Sequence, residues 1–347
     1  MVGGDDTKGR GRGSPLTDSV RPGAVRYGRF DGPVGPIRPH DFVLRSPMGG
    51  VVAAAESDAA FRSFQFMGAV GSDLAVGCAV TSTASGLTAF AYLWGDGQFH
   101  ELRLSARDGD VAEFAEDPDS GATRLRTSRG VVEMRAGQAG HKRLTVESNS
   151  VSIDFSFSDQ DVDVLRLCTP TGPTGWAYVQ KVVAVPASGI ASAGDFIVDL
   201  GLAAAQAHHD YTTGFLRAET WWHWACIAAQ LDDGRRFGLN LSCGTNESGY
   251  RENGGWVDDR WFPLDGILFD FDPDRIEEPW HIRATDGSLD LTFHTGHGYH
   301  AHHDSPKLAT NFHQLFGRFC GWVDVPDVGR LAIEGLAGFT ETQYLRW

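Results

Sequence analysis

A chain of 347 residues has room for one large domain or two ordinary ones, and 41% hydrophobic with 22% charged residues is the composition of a folded globular protein, not a disordered or fibrous one. A formal net charge of -15 sets the surface against phosphate backbones and anionic lipid, so nucleic acid and membrane surfaces are not expected partners. Five scattered cysteines, odd in number and without a Cys-x-x-Cys pair, predict reduced thiols in a cytoplasmic protein and speak against a disulfide framework or structural zinc.

In chain order, residues 1–22 carry Gly3, Gly4, Gly9, Gly11 and Gly13 among Asp, Lys and Arg. They lack the apolar segment of a secretory signal and predict a flexible tail. The glycines around Arg10 and Arg12 follow no strand and precede no helix, so they do not form a phosphate cradle. From residue 23 onward the dominant signal is alternation with period two, the mark of strands with one wet and one buried face. Apolar strands are expected at 73–80 and 88–94, and Gly95-Asp96-Gly97 supplies the positive φ angles of a hairpin turn. Val151, Ile153, Phe155 and Phe157 alternate with polar residues. The Pro, Gly, Ser and Ala-rich stretch Pro186 to Gly194 predicts a boundary, giving halves at 23–190 and 191–347. In the second half Phe196/Val198/Leu200/Leu202, Phe237/Leu239/Leu241 and Leu289/Leu291/Phe293 repeat the alternation, with turns at Asp232-Asp233-Gly234 and Asp286-Gly287. Long amphipathic helices are scarce, and no apolar run approaches membrane-spanning length. Many short strands at even spacing predict an all-β fold of barrels or sandwiches.

His209-Asp210-Tyr211-Thr212-Thr213-Gly214, then Arg217, Thr220, Trp222, Trp224 and Ala225, resemble the central motif of the family called domain of unknown function 2804. The match continues through Asp233-Gly234-Arg235, Gly238-Leu239-Asn240-Leu241, Glu252-Asn253, Pro279-Trp280, His313-Gln314, Phe316-Gly317-Arg318, Gly338-Phe339, Glu341 and Trp347, over roughly residues 195 to 347. The first half fits more loosely, with Phe64 and Phe66 where tryptophan or tyrosine is expected. The family is distantly similar to lipocalin-like proteins that include carotenoid 1,2-hydratases and fungal cyclases of Diels–Alder type. The resemblance implies two tandem lipocalin-like β-barrel or β-sandwich domains packed together, with an apolar, polyene, terpenoid or polyketide-like ligand inside or between them. A shared fold does not itself confer an activity.

Three residues are candidate acid–base groups: His209, Asp210 and Glu252. On a strand His208 and Asp210 share a face while His209 points the other way. One imidazole and one carboxylate make a proton-transfer pair, and burial would raise the carboxyl pKa; alternatively Asp210 and Tyr211 fix a loop by hydrogen bonds. Candidate ligand contacts are Tyr211, Arg217, Trp222, Trp224, Asn240, Asn253 and His313. Trp222 and Trp224 share a face and either line an apolar cavity or pack a core. Arg217 and Glu219 either form a buried ion pair or orient a ligand carbonyl. Asn240, Asn246, Glu247, Glu252 and Asn253 lie on a cavity wall or in a polar loop. The tract His294, His297, His300, His302 and His303 fits no standard metal spacing and reads as an exposed loop, so no metal is expected. No nucleophile elbow, Walker motif or zincin helix is present, which favours a mechanism without cofactor. The expected function is a cofactor-independent cyclase, isomerase or hydratase acting on a small apolar metabolite in a β-barrel cavity. A non-catalytic lipid or pigment carrier and a carbohydrate-binding or carbohydrate-active sandwich are the alternatives.

Overall fold

The protein was analysed as a computed structural model that describes residues 15–18, 21, 23–245, 249–306 and 308–347. The glycine-rich start around Arg10 and Arg12, and Asn246 and Glu247, lie outside the described residues. The fold is all-β, as the alternation predicts, and every pairing between strands is antiparallel. The stretch expected to be a tail as far as residue 22 is packed before that point. Leu16 is fully buried and its carbonyl accepts a 2.8 Å hydrogen bond from the Arg26 amide.

Three sheets stack as layers. The first runs, in spatial order, through Gly28–Arg29, Leu165–Pro170, Trp176–Pro186, Gln206–Phe215, Arg62–Gly71, Leu74–Thr83, Gly86–Gly95 and Gln98–Ser105. The second contains Phe196–Asp199, Ser188–Ala193, Ser152–Ser158, His141–Ser148, Gly130–Ala136, Gly121–Thr127 and Val111–Glu113. The third contains Arg260–Pro263, Gly254–Val257, Arg236–Cys243, Glu219–Gln230, Gly329–Arg346, Ala309–Val325, Leu289–Asp304, Trp280–Ala284 and Ile267–Asp270. Strand Gln206–Phe215, placed by the expected boundary in the second half, is hydrogen-bonded between Trp176–Pro186 and Arg62–Gly71 of the first sheet. The chain crosses to the third sheet only after Phe215: this strand is paired along both edges, with Trp176–Pro186 on one side and Arg62–Gly71 on the other.

Each gap between layers has its own core. Met67, Val76, Leu93, Val132, Leu144 and Phe155 fill the space between the first and second sheets. The third sheet curls so that Arg236–Cys243 approaches Ile267–Asp270, enclosing Phe237, Leu239, Trp280, Leu291, Phe293 and Phe319. A third cluster, including Phe66, Val179, Val183, Trp224, Cys226 and Phe339, joins the outer faces of the first and third sheets. The middle strands of the first sheet are therefore buried on both faces, and Trp176–Pro186 is a largely apolar run broken only by Gln180 and Lys181. Gly238 permits the closest approach at this seam: a Cβ there would stand 2.9 Å from Val183 Cγ1 and 3.0 Å from the Ala184 Cβ.

Candidate functional site

Alternation places the site. On strand Arg62–Gly71 the odd residue Met67 enters the first core, while Phe64 and Phe66 face the third sheet. Facing them from Glu219–Gln230 are Trp222 and Trp224, with Phe66 and Trp224 edge to face at 6.1 Å. Between these two faces lies a cavity of about 440 Å3, of the size that takes a small organic molecule. Most of its walls come from every second residue of its strands: Phe90 and Tyr92, Asp210 and Thr212, Phe312 and Gln314, Glu341 and Gln343. The chamber lies between the outer surfaces of the sheets, one of the two positions the resemblance implies, and not within a barrel; hydrophobic cores fill the gap between the first and second sheets and the curl of the third.

One wall carries a buried ionic cluster. The Lys181 Nζ lies 2.8 Å from Asp210 Oδ2 and 3.4 Å from Glu252 Oε2. It also stands 5.0 Å from the centre of the Trp224 ring. Thr212 Oγ1 donates to Asp210 Oδ1 at 3.2 Å and Ser242 Oγ to Glu252 Oε1 at 2.8 Å. Burial alone would strip the lysine of its proton, but the two carboxylates outweigh it and hold the Lys181 pKa above its usual value. Lys181 is thus a fixed ammonium, not an amine nucleophile. Burial, only partly offset by Lys181, raises the Asp210 pKa.

A further carboxyl, Glu341, faces the cavity from the neighbouring strand. Burial pushes its pKa up to about 7, against the lowering effects of the Trp222 hydrogen bond and the Lys181 charge. Trp222 Nε1 donates to Glu341 Oε1 at 2.6 Å, and Gln314 Nε2 approaches Oε2 at 3.5 Å. A buried carboxyl whose pKa is raised toward neutrality, on a cavity wall shared with Trp222, Trp224 and Gln314, has the properties of a general acid or base.

The structure divides the sequence-derived candidates by strand parity. Asp210, Glu252, Trp222, Trp224 and Arg217 line the cavity. His209 does not: it points through the sheet to the opposite face, where its Nε2 lies 3.1 Å from the Gln65 amide nitrogen. It is no proton-transfer partner of Asp210. Tyr211 shares that far face and donates to the Ala115 carbonyl at 2.8 Å. The residue on Asp210's own face is His208, stacked 5.1 Å from Phe66 and opposite Gly68, where any side chain would clash with the imidazole. Burial, and then the Lys181 charge, lower its pKa to about 3, so it stays neutral.

Asn240 and Asn253 sit behind the wall instead of on it. Asn240 Oδ1 accepts from Trp224 Nε1 at 2.8 Å and its Nδ2 donates to the Glu252 carbonyl at 2.9 Å. Asn253 Oδ1 accepts from the Ser242 amide at 2.6 Å, and its Nδ2 donates to the Asp265 carbonyl at 3.2 Å. Both hold cavity-lining residues in place. His313 lies on the reverse face from Phe312 and Gln314 and stacks on His300 at 5.7 Å. Arg217 does not pair with Glu219: its Nε donates to the Thr171 carbonyl, while Glu219 accepts from the Tyr344 hydroxyl. The histidine tract is not a loop but part of the long strand Leu289–Asp304, and His297 stacks on Trp94 at 6.0 Å. Among the described residues no group of three or more His, Cys, Asp or Glu is placed to hold a metal ion.

Lys181, Ser242, Gln314 and Glu341 complete the site and were not among the candidates. Lys181 had a visible signal, since it is the one charged side chain in the apolar run Trp176–Pro186. Glu341 lay in the family motif, but its polar neighbours Thr340, Thr342 and Gln343 gave no sign of which face is dry.

The same fold occurs in solved structures of low sequence identity. CghA matches at 13% identity and a TM-score of 0.53, and CghA with Sch210972 at 12% and 0.54, each covering 82% of this chain and 88% of that one. Kievitone hydratase from Nectria haematococca aligns at 8% identity with a TM-score of 0.46, over 82% of this chain and 88% of its own. No curated protein matches the chain in sequence. The residues that build the inter-sheet chamber, from Phe64 to Trp347, coincide with the span 64–347 that matches Domain of unknown function (DUF2804), and the chain belongs to that family.

Proposed function

We propose that the protein is a cofactor-independent lyase or isomerase, of hydratase or cyclase type, acting on a small apolar metabolite held between the first and third sheets. The observation that carries this reading is Glu341, a buried carboxyl with a pKa of about 7 on the wall of an aromatic cavity, beside the fixed cation Lys181. A binding pocket alone has no need of a carboxyl kept on the edge of ionisation. CghA, which shares the fold, is known with Sch210972, in keeping with a small-molecule guest.

In this reading neutral Glu341 gives its proton to a double bond or hydroxyl of the substrate. Positive charge that develops on carbon meets the faces of Trp222 and Trp224 and the carboxylates of Asp210 and Glu252. The Glu341 carboxylate then takes a proton back, from an adjacent carbon in an isomerisation or from an adding water in a hydration. The aromatic walls hold one conformer of a flexible chain, which lowers the barrier of any ring closure. The indoles of Trp222 and Trp224 turn into the chamber rather than forming an open platform, which disfavours a carbohydrate groove.

The test is to incubate the protein with an apolar extract of its source cells and follow the compounds by mass spectrometry. Conversion of one compound to an isomer, or to a product differing by one water, is expected, and Glu341→Gln should abolish it. A ligand that co-purifies with the protein in native mass spectrometry but is never converted would instead make it a carrier.

A further inference from the structure

The corner of the chamber around Trp224 holds more acid than base. Lys181 Nζ stands 5.0 Å from the centre of the Trp224 ring, and Asp210 and Glu252 share that one ammonium. Glu341 is paired directly opposite Trp224 on the neighbouring strand, and Gln314 opposite Glu341 on the strand after that. All six residues line the chamber and are each more than nine-tenths buried. One ammonium thus faces two carboxylates. Glu341 is a third acid, and its hydrogen bonds come from uncharged groups, Trp222 and Gln314. The other cations that line the chamber do not redress this. Arg103 is exposed and pairs with Glu101. It lies four strands from Asp210 along the same row, about 19 Å at the usual strand spacing. Arg217 is exposed beyond the end of strand Gln206–Phe215.

The same corner has acceptors left over. Its donors are taken: Lys181 by the two carboxylates, Thr212 by Asp210, Ser242 by Glu252, Trp222 by Glu341 and Trp224 by Asn240. Each carboxylate has more lone pairs than these donors fill. Gln314 turns its Nε2 to Glu341 and leaves its own Oε1 without a hydrogen-bond partner. A buried acceptor without a partner is unfavourable, and so is a surplus of buried negative charge. A guest that brings N–H donors and a positive charge relieves both.

Resting on the reading of the chamber as a small-molecule site, we infer that its guest is a lipophilic amine: an apolar body carrying one ammonium group, which is bound at the Trp224 corner among Asp210, Glu252 and the Gln314 carbonyl. A hydroxyl would supply a donor but leave the charge uncompensated, and a carboxylate would add to the surplus. The rings of Trp224 and Phe66, edge to face at 6.1 Å, border the same corner, and aromatic faces attract an alkylammonium. The apolar body then occupies the space lined by Phe64, Phe90 and Phe312. A net charge of -15 favours the approach of such a cation as well.

The test uses geranylamine, geraniol and geranic acid, which share one apolar body and carry an ammonium, a hydroxyl and a carboxylate at neutral pH. Each is titrated calorimetrically into the wild-type chain and into Lys181→Met/Asp210→Asn/Glu252→Gln, in which neutral groups replace the ionic cluster and no buried ion of it is left unpaired. The amine is expected to bind the wild type one-to-one, about tenfold more tightly than geraniol, with geranic acid weakest. The triple variant should bring the amine down to the affinity of geraniol. Attraction of the amine to the acidic surface alone would persist in that variant. Equal or tighter binding of the alcohol by the wild type, or an amine preference that survives the triple substitution, overturns the inference while leaving the chamber as a small-molecule site. If none of the three binds, the chamber reading fails and the inference with it.

Discussion

The two faces of strand Gln206–Phe215 bury chemically similar side chains to opposite ends. On one face His208, Asp210 and Thr212 look toward the third sheet, where Asp210 shares Lys181 with Glu252 and borders the cavity. On the other, His209, Tyr211 and Thr213 are tied to Gln65, the Ala115 carbonyl and Ser63. The inner face uses polar groups as paired fixtures within a core. The outer face leaves charged and titratable groups beside a space. Burial of a polar residue is thus no guide to its role until the identity of what lies beyond that face is known.

Substitutions can break or sharpen this contrast. The largest effect is expected at the cavity: Glu341→Gln should lower turnover by roughly a hundred- to ten-thousandfold, as for loss of a general acid, with ligand affinity largely kept. Retention of full turnover would remove Glu341 from the mechanism. Next, Lys181→Met should destabilise the chain by about 3–5 kcal/mol in denaturant unfolding, because two carboxylates lose their buried counter-charge. Adding Asp210→Asn and Glu252→Gln should recover most of the loss. A lone Lys181→Met with no penalty would mean that the cluster is solvated.

The pH dependence has two opposed signs. Glu341 is raised from 4.5 to about 7 in the folded state, so its stabilising contribution is complete below about 4.5 and is lost as pH rises to about 7, by about 3 kcal/mol. His208 is lowered from 6.5 to about 3, so its contribution is present above 6.5 and lost as pH falls toward 3. Thermal unfolding across this range should lose the first slope in Glu341→Gln and the second in His208→Phe. The smallest effect is expected on the reverse face. His209→Leu should cost about 1–3 kcal/mol for the unpaired Gln65 amide and leave binding of an apolar fluorescent probe in the chamber unmoved. A change in affinity there would contradict the separation of the faces.

The fold was legible wherever one face of a strand is wet. Ile153, Phe155 and Phe157, and Leu289, Leu291 and Phe293, alternate in the sequence and are buried as expected. Alternation also separated His208 and Asp210 from His209, and paired Trp222 with Trp224. It could not say which of two buried faces meets a cavity, because that depends on the layer stacked beyond it. Hence His209, Tyr211 and His313 were chosen on the wrong side. Trp176–Pro186, buried on both faces, gives no clear alternation, and Lys181 went unnoticed inside it. The chain leaves the first sheet at Pro186, within the expected boundary, but Gln206–Phe215 returns to it, a return that the local pattern does not carry because Arg62–Gly71, one of its two partners, lies far back in the sequence.

Because the chamber is bounded by the backs of two sheets whose cores lie elsewhere, guest selection and folding draw on different side chains. Phe64, Phe90 or Phe312 can be traded for larger, smaller or more polar residues while Met67, Leu93, Phe237 and Phe319 keep each layer pair intact. Under the proposed function, such an architecture lets the bound molecule change while the cores that hold the fold stay as they are.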